Sequence, residues 1–386
     1  MSAHALLSPS SAHRWLNCLL APRLEATLPP STSVYAQEGT LAHTVCELMA
    51  KKYFGKITAD EFNNGIKKAK AHKLWDKEML ATAEQYSEHL ATQAMAFSHA
   101  PYVAMEVRVD ISKYVPDAFG RCDCVMFGEN TLVITDYKHG KGEKVLAKEN
   151  PQLKLYALGA LEAYRPVFGN AIKKISICID QPRIGAYEQW QCTVSELLQW
   201  GELEVKPKAQ KAYMGIGNYN PGSWCRFCRA NGICKAQAQQ HLSTFSKYDT
   251  TNAALLSPAE MGKVLTLGAD LVGWYNAVEK KAFDALLEGN KIPGFKLVEG
   301  RSSRAWTNQD EALEKLEQSG IEHAMIYDNV PKTLSQLEKM IGAKKFAEMV
   351  GSYIMKPPGR PTLAPEADKR KEYSSAAADF ASVAQA

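Results

Sequence analysis

The sequence lacks any apolar run long enough to cross a membrane, because no stretch approaches about 18 consecutive apolar residues. Its first residues also lack the basic start and the long apolar core of a secretory signal peptide. Both absences argue against a membrane partner, and we expect a cytoplasmic protein.

A strong excess of charge of either sign is also missing. The 386 residues include 46 Lys and Arg and 42 Asp and Glu, which gives a net charge of +4. This excess is too small to indicate nucleic-acid binding by itself, although it permits such binding where basic residues cluster. No Gly-Lys pair is followed by Ser or Thr, so the phosphate-binding loop of an ATP-driven motor is missing as well.

The sequence does contain the composition and periodicity of a folded α/β protein. Hydrophobic residues make up 46% and charged residues 23%, which is ordinary for a globular chain. Segments that alternate in the manner of β-strands lie between segments of helical periodicity. We predict helices at 37–54, 59–99, 150–164 and 195–213, and strands at 103–111, 122–127, 132–138, 174–180 and 187–193. This order predicts a mixed central β-sheet flanked by helices.

The same patterns predict three regions. Residues 1–240 form the α/β domain, and residues 250–355 form a mainly helical accessory region with a short hairpin at 295–306. Residues 356–386 carry prolines, charges and small residues, which predicts a partly disordered tail.

An acidic hairpin is the most informative segment. Two alternating runs flank Gly-Glu-Asn at 128–130, which is a hairpin signal. If the Glu and Asn form a two-residue loop, paired positions sum to 259 and Asp123 lies opposite Asp136. Lys138 lies on the same face as Asp136 because it follows by two residues.

This arrangement predicts a cation site. Two carboxylates that face each other in a sheet repel and destabilise it. A divalent cation offsets the repulsion, since Mg²⁺ is held by one or two carboxylates together with substrate phosphate oxygens. The neighbouring Lys138 would neutralise charge developing on a phosphate and position or deprotonate a water. The alternative, common for an arbitrary Asp-x-Lys in a strand, is an exposed ion pair without a metal.

A cysteine cluster forms a second candidate site. The chain has nine cysteines, and grouped cysteines in a reducing compartment are more typical of metal ligands than of disulfides. Cys225, Cys228 and Cys234 have the spacing C-x₂-C-x₅-C. Three thiolates need a fourth ligand to close a tetrahedral site or a four-iron cluster. No cysteine follows them, and Cys18 is the strongest candidate. A structural zinc or unliganded thiols are the alternatives.

These motifs resemble known nucleases. The order G-x-x-D, hairpin, D-x-K, at 120–123 and 136–138, resembles the PD-(D/E)XK nuclease superfamily. The RecB-like branch adds a histidine on an upstream helix, here His43, and Q-x-x-x-Y on the next helix, here 152–156. A distant cysteine before C-x₂-C-x₅-C resembles the iron–sulfur nucleases of that branch, such as AddB. The segments 8–23, 38–43 and 181–183 resemble an uncharacterised phage-associated family.

The resemblance covers about residues 5–240. It implies a restriction-endonuclease-like core and a role for each of the following residues. Asp123, Asp136 and Lys138 would be catalytic. The two aspartates and His43 would bind Mg²⁺ or Mn²⁺, and Glu106 on the preceding strand would add a third carboxylate. The expected DNA contacts are Gln152, Tyr156, Lys141 and Arg121. The expected ligands of a [4Fe–4S] cluster, or of zinc as the alternative, are Cys18, Cys225, Cys228 and Cys234.

The function implied is a metal-dependent deoxyribonuclease, expected to act as an exonuclease in DNA end processing, recombination or replication of a phage or prophage. It would work in the cytoplasm of a bacterial or phage-infected cell. Its partners would be DNA and a helicase, a single-strand annealing protein or a single-strand-binding protein. An alternative is a non-catalytic iron–sulfur subunit that recognises DNA ends or junctions, and a third hypothesis is a zinc-stapled RNA-processing nuclease.

Overall fold

The structure is a computed structural model, and the residues it describes are 5–30, 33–142, 144–245, 258–300, 302, 304–328, 330–357, 359, 361–365 and 370–373. The chain divides into two units, Met1–Ser257 and Pro258–Ala386. Part of the predicted domain boundary at 240–250 and most of the predicted tail lie outside the described residues.

A five-stranded mixed sheet forms the centre of the first unit. Its strands are β1 (Tyr102–Asp110), β2 (Phe119–Gly128), β3 (Thr131–Tyr137), β4 (Lys174–Gln181) and β5 (Ala186–Thr193). They are arranged in the order β1-β2-β3-β4-β5. β3 and β4 are parallel, and the other neighbours are antiparallel. The predicted mixed α/β fold is therefore confirmed, and each strand lies within a few residues of its prediction.

Helices cover both faces of this sheet. They are α1 (Ala12–Trp15), α2 (Ala21–Ala26), α3 (Val34–Tyr53), α4 (Ala59–Lys70), α5 (Glu78–Met95), α6 (Pro151–Phe168), α7 (Val194–Trp200), α8 (Lys206–Met214) and α9 (Lys235–Phe245). One core, which includes Val45 of α3 and Leu90 of α5, lies against Met126 of β2. The other core, on the opposite face, includes Leu155 of α6 and Ile177 of β4. Strands covered on both faces explain the long apolar runs of β2 to β4.

The single helix predicted at 59–99 is wrong, because the chain forms two helices there. α4 ends at Lys70, and the Oδ1 atom of Asp76 accepts a hydrogen bond from the backbone N–H of Glu78 at 2.8 Å. This side-chain acceptor satisfies an amide at the start of α5, where no intrahelical acceptor is available. The helix predicted at 195–213 is interrupted only by a π-helical turn, Gly201–Val205.

The second unit is mainly helical, as expected. Its elements are α10 (Pro258–Leu287), β6 (Phe295–Glu299), β7 (Ala305–Trp306), α11 (Gln309–Gln318), α12 (His323–Ile326), β8 (Tyr327–Asp328), β9 (Val330–Pro331), α13 (Leu334–Ile341), α14 (Ala343–Val350), β10 (Ile354–Met355) and β11 (Pro361–Pro365). Leu313, Leu316 and Phe346 form part of its core. Within the described residues, every helix is too short or too polar to cross a bilayer.

The hairpin predicted at 295–306 is also wrong. β6 pairs with β11 and β7 pairs with β10, so the two predicted arms have different partners. β11 belongs to the segment predicted as a partly disordered tail. Its prolines, Pro361 and Pro365, stand at the two ends of the strand, in a two-stranded ladder in which β11 is an edge strand. Edge strands tolerate proline because their outer amides need no ladder partner.

Candidate functional site

The acidic hairpin has the register that the sequence predicts. The pairs from Cys124 with Thr135 to Gly128 with Thr131 all sum to 259. Asp123 and Asp136 occupy the next position of this register. The Oδ2 atom of Asp123 accepts a hydrogen bond from the backbone N–H of Tyr137 at 2.8 Å. The carboxylate therefore satisfies an amide where the backbone pairing ends.

β1 extends this row of acidic residues. Met105 pairs with Cys124 and Val107 pairs with Cys122, so Glu106 stands at the position opposite Asp123 without forming a backbone pair. The φ of Glu106 is +52°, in the left-handed region that a non-glycine residue rarely adopts. Such strain costs roughly 1–3 kcal/mol and concentrates at functional sites. Three neighbouring strands thus each carry an acidic residue at one level of the sheet.

A histidine from α3 joins two of these carboxylates. The ligand atoms of His43, Glu106 and Asp123 all lie within 4.8 Å of one another. The Nδ1 atom of His43 is 3.3 Å from Oδ2 of Asp123, and its ring packs edge-on against Tyr137 with centroids 5.4 Å apart. The group opens into a cleft that Arg121 and the α3 residues Ala36, Gly39, Thr40, Thr44 and Glu47 also line. An imidazole nitrogen and two carboxylates form a donor set suited to a divalent cation.

Asp136 stands outside this group of three and pairs with the lysine. Its Oδ2 atom is 2.9 Å from Nζ of Lys138. The side chain of Gln152 bridges the two, because its Oε1 accepts from Lys138 Nζ at 3.3 Å and its Nε2 donates to Asp136 Oδ1 at 3.4 Å. The Nε2 atom of Gln152 also donates to Oη of Tyr156 at 3.0 Å. The Q-x-x-x-Y pair therefore orients the ammonium group of the site.

Gly120 provides the space for this tyrosine. A Cβ atom at Gly120 would lie 2.5 Å from Cε1 of Tyr156 and 3.1 Å from Cγ of Pro9. Real Cβ contacts of 2.5 Å do not occur, so any side chain at this position would displace the ring. The glycine of the G-x-x-D motif is thus explained by packing against Tyr156.

The carboxylates of the site are crowded and partly removed from water, and both effects change their pKa values. Burial, followed by the charges of Asp123 and Glu47, raises the pKa of Glu106 to about 7. Burial also raises the pKa of Asp136, although the charge of Lys138 opposes this. Removing a carboxylate from water disfavours its charged form, and a neighbouring carboxylate adds to the effect.

The two basic groups respond to the same carboxylates. Burial lowers the pKa of His43, but the charge of Asp123 and its hydrogen bond outweigh burial, and the pKa is raised. Burial lowers the pKa of Lys138 in the same way, and the charge of Asp136 more than compensates. Lys138 therefore carries a proton at neutral pH and acts as an ammonium group.

The four residues expected to contact DNA divide into two pairs. Arg121 and Lys141 are exposed, with 68% and 54% of their side-chain surface accessible. Arg121 lies 3.4 Å from Glu106 at the cleft, and Lys141 pairs with Glu78 at 3.1 Å. Gln152 is half-buried and Tyr156 is buried, and the contacts described above hold both. Arg121 and Lys141 are therefore accessible to a phosphate backbone, whereas Gln152 and Tyr156 orient other side chains of the site.

The four cysteines singled out in the sequence line one cavity. Cys18, Cys225, Cys228 and Cys234 border it together with Arg14 and Trp224. Backbone N–H groups point at the sulfurs: Asn220 donates to Sγ of Cys18 and Gly222 to Sγ of Cys225, each at 3.4 Å. No three of the four sulfurs lie within 4.8 Å of one another. All nine cysteines of the chain are free thiols.

A buried carboxylate fastens the N-terminal segment to the cysteine loop. Glu25 of α2 is 2.9 Å from Nε of Arg14, and its Oε1 accepts from the backbone N–H of Arg229 at 2.8 Å. Arg14 in turn donates to the carbonyl of Phe227 at 3.0 Å. These contacts bring Cys18 to the other three cysteines.

Sequence reasoning missed a partly buried ion-pair network beside the acidic site. It consists of Glu38 on α3, Glu78 on α5, His139 after β3 and Arg183 after β4. The sequence offered one signal, the Gln-Pro-Arg at 181–183, and only as part of a resemblance. The pairings span 101 and 145 residues, so no local pattern could have identified them.

Comparison with known proteins gives two findings. The sequence profile of a family described as "Protein of unknown function (DUF2800)" matches residues 4–371. A solved structure titled "Crystal structure of SSO0001" is 14% identical, with 57% of this chain and 95% of that chain covered and a TM-score of 0.25. A TM-score this low carries no information about fold or function.

Proposed function

Because the chain belongs to the DUF2800 family, whose description assigns no function, we propose a function from its own residues: a metal-dependent deoxyribonuclease that hydrolyses DNA phosphodiester bonds. We propose further that it acts as an exonuclease on DNA ends, in recombination or replication of a phage or prophage. One observation carries the proposal. His43, Glu106 and Asp123 converge at one cleft beside the ion pair of Asp136 and Lys138.

The residues present fit a divalent cation. Two carboxylates supply the oxygen donors that Mg²⁺ and Mn²⁺ prefer, and the imidazole nitrogen, a softer donor, favours Mn²⁺. Glu106 has a left-handed backbone and a pKa raised to about 7, so the chain bears both strain and repulsion at this point. A bound cation would relieve the repulsion between the carboxylates. A sheet with only a structural role would gain nothing from placing strain and like charges at this point.

The proposed reaction is addition of water to the phosphorus with departure of the sugar oxygen. A divalent cation held by His43, Glu106 and Asp123 would polarise the phosphate and stabilise the charge that develops on it. The ammonium of Lys138, oriented by Asp136 and Gln152, would donate hydrogen bonds to the phosphate or the attacking water. By the resemblance, the products carry 5′-phosphate and 3′-hydroxyl ends. The water supplies the proton that the leaving oxygen takes up.

Membership of the PD-(D/E)XK superfamily and its RecB-like branch is part of the proposal, as is a restriction-endonuclease-like core. Its support is that four separate sequence signatures lie next to one another along the acidic row. G-x-x-D lies on β2, D-x-K ends β3, the histidine comes from α3, and Q-x-x-x-Y comes from the first turns of α6. Chance occurrence of the motifs would not bring them together.

We also propose that the four cysteines hold a [4Fe–4S] cluster that staples the N-terminal segment to the end of the nuclease domain. The observation that supports a shared group is that all four cysteines line one cavity, and zinc is the alternative ligand. Burial raises the pKa of Cys225, and raises that of Cys228 to about 12, so a positively charged ligand is needed to hold them as thiolates.

A cleavage assay tests the activity. Full-length protein, purified without oxygen, is incubated with end-labelled single-stranded DNA, double-stranded DNA and RNA, in Mg²⁺, in Mn²⁺ and in EDTA. We expect cation-dependent loss of DNA label and no cleavage by Asp136→Ala. Binding of DNA without cleavage would favour the non-catalytic subunit, and cleavage of RNA alone would favour the RNA-processing nuclease.

A further inference from the structure

A buried guanidinium connects the histidine-bearing helix to the sheet. Arg183 lies in the turn Pro182–Ile184, directly after β4, and only 13% of its side chain is exposed. Its Nη1 donates to Oε1 of Glu38 at 2.9 Å and to the carbonyl of His139 at 3.3 Å. Its Nε and Nη2 donate to Oε2 of Glu78 at 3.1 and 2.9 Å. One side chain therefore joins α3, α5 and the segment after β3.

From Glu38 the contacts lead back to the cation site. Oε1 of Glu38 is 3.1 Å from Nε2 of His139, and Nδ1 of His139 is 2.9 Å from Oη of Tyr137. The backbone N–H of Tyr137 holds Asp123, and its ring packs against His43. Glu38 and His43 are also five residues apart on α3, which is about 7.5 Å along its axis.

We propose that Arg183 is a positioning residue for the cation site. By holding Glu38 it determines where α3 lies on the sheet, and so where Nδ1 of His43 lies relative to Asp123. The inference rests on the proposed function, because it assigns His43 to a bound cation.

Stability alone does not explain such a network. Ion pairs whose carboxylates are partly exposed, as Glu38 and Glu78 are, contribute little to stability. A planar guanidinium that meets a carboxylate on each side instead fixes direction, which a single ammonium does not do. Residues that orient a metal ligand commonly contribute 10- to 100-fold to metal affinity.

A double-mutant cycle tests this role. Isothermal titration with Mn²⁺ alone measures affinity for the full-length wild type, Arg183→Lys, His43→Ala and the double variant. We expect His43→Ala to weaken Mn²⁺ binding about 10- to 100-fold and Arg183→Lys about 10-fold. In the His43→Ala background, Arg183→Lys should add less than about twofold, because residues that act through one contact are not additive.

A matched variant separates the two halves of the network. Glu78→Gln keeps an acceptor oxygen for Nε and Nη2 of Arg183 and removes only the charge, so the guanidinium stays oriented and Mn²⁺ affinity should stay within about twofold of wild type. Glu38→Asp shortens the proposed connection and should weaken Mn²⁺ binding about threefold, which keeps the test available if Arg183→Lys fails to fold. The ratio of Mn²⁺ to Mg²⁺ affinity should fall in Arg183→Lys, since the nitrogen ligand favours Mn²⁺.

Several results would overturn the inference. They are additive losses in the cycle, an equal loss in Glu78→Gln, or wild-type Mn²⁺ affinity in both Arg183→Lys and Glu38→Asp. If the wild type binds Mn²⁺ but cleaves no DNA, the proposed nuclease fails while the cycle still decides the role of Arg183. If the wild type binds no Mn²⁺, both proposals fail.

Discussion

The acidic cleft and the cysteine cavity hold their groups together in different ways. In the cleft, Glu106, Asp123 and Asp136 come from three adjacent strands, and the sheet itself brings like charges to one level. In the cavity, Cys18 meets cysteines more than 200 positions away, and Glu25 with its two arginine contacts closes the loop. The cleft is thus electrostatically unfavourable without a cation, whereas the cavity has protein contacts that close it.

This difference indicates what each site needs from a bound group. In and beside the cleft, Arg121 lies 3.4 Å from Glu106, His43 lies 3.3 Å from Asp123, and Lys138 neutralises Asp136. A cation there would serve chemistry and reduce repulsion. At the cavity, the protein contacts join segments that are distant in sequence. A cluster bound there would add to the stability of this connection.

The largest effect should come from the middle of the acidic row. Asp123→Asn removes a charge between Glu106 and His43 and should lower DNA cleavage by about 10³-fold or more, since a catalytic metal contributes several kcal/mol. The melting temperature of the metal-free protein should stay the same or rise, because an amide oxygen can still accept from Tyr137 and repulsion falls. Asp60→Asn on α4, at an exposed position, should change neither quantity. Cleavage rates and thermal melts check both expectations, and a fully active Asp123→Asn would contradict the site.

Lys138→Ala should have the next largest effect. The loss of an oriented ammonium should lower the single-turnover rate constant about 10²- to 10³-fold. The DNA dissociation constant should change less than about threefold, because Lys138 is half-buried beside Asp136. Lys113→Ala, which removes an exposed pair with Glu162, is the matched control. A large loss of affinity with little loss of rate would make Lys138 a phosphate contact instead.

The affinity of the cleft for a divalent cation should depend on pH. Since the pKa of Glu106 is raised to about 7, protons compete with the cation below that value. Mn²⁺ affinity should therefore rise about tenfold between pH 6 and pH 8, and Glu106→Gln should flatten the rise. The folded state binds the proton of Glu106 more tightly than the unfolded state does. The free energy of unfolding of the metal-free protein should therefore fall as the pH rises from about 4.5 to about 7. A pH-independent Mn²⁺ affinity would contradict this account.

Cys228→Ser should affect the other site and leave the cleft intact. Anaerobically purified protein should lose its brown colour, and the melting temperature should fall by roughly 5–10 °C. Mn²⁺ affinity should stay within about twofold of wild type. Cys192→Ser, on β5, is the control with an intermediate burial similar to that of Cys228. Colourless wild-type protein that contains zinc would disprove the cluster.

Gly120→Ala should have the smallest effect on cleavage, about tenfold. The added methyl group would displace the ring of Tyr156 and, through it, Gln152. Lys138 would then lose one of the two groups that orient it, although the cation ligands would remain. A rate assay checks this, and Gly140→Ala, where a Cβ meets nothing within 4 Å, is the control.

The two sites also differ in how far the sequence could predict them. Alternation and a two-residue loop determine the register of β2 and β3, so the positions of Asp123 and Asp136 follow by counting. The close approach of Glu106 depends on a left-handed backbone, for which Met-Glu-Val gives no signal. The cysteine cavity could be predicted only through a resemblance, because no local rule joins Cys18 to Cys225.

Long-range pairing explains the remaining failures. The sequence pattern predicts a local hairpin for the strand at 295–299, but the partner of this strand comes from 361–365. The network of Arg183, Glu38 and His139 joins positions that only the finished fold brings together. The gap between α4 and α5 was missed because its residues keep an unremarkable helical pattern, and tertiary contacts decide where the helix ends.

Anomalous diffraction from crystals soaked in Mn²⁺ is the most direct test of the central claim. We predict a peak that appears only after soaking and is bonded to His43, Glu106 and Asp123 in the first unit. It is separate from the iron signal expected at the four cysteines. No peak at these residues, or a peak only elsewhere on the chain, would contradict a cation site in the cleft and the nuclease that depends on it.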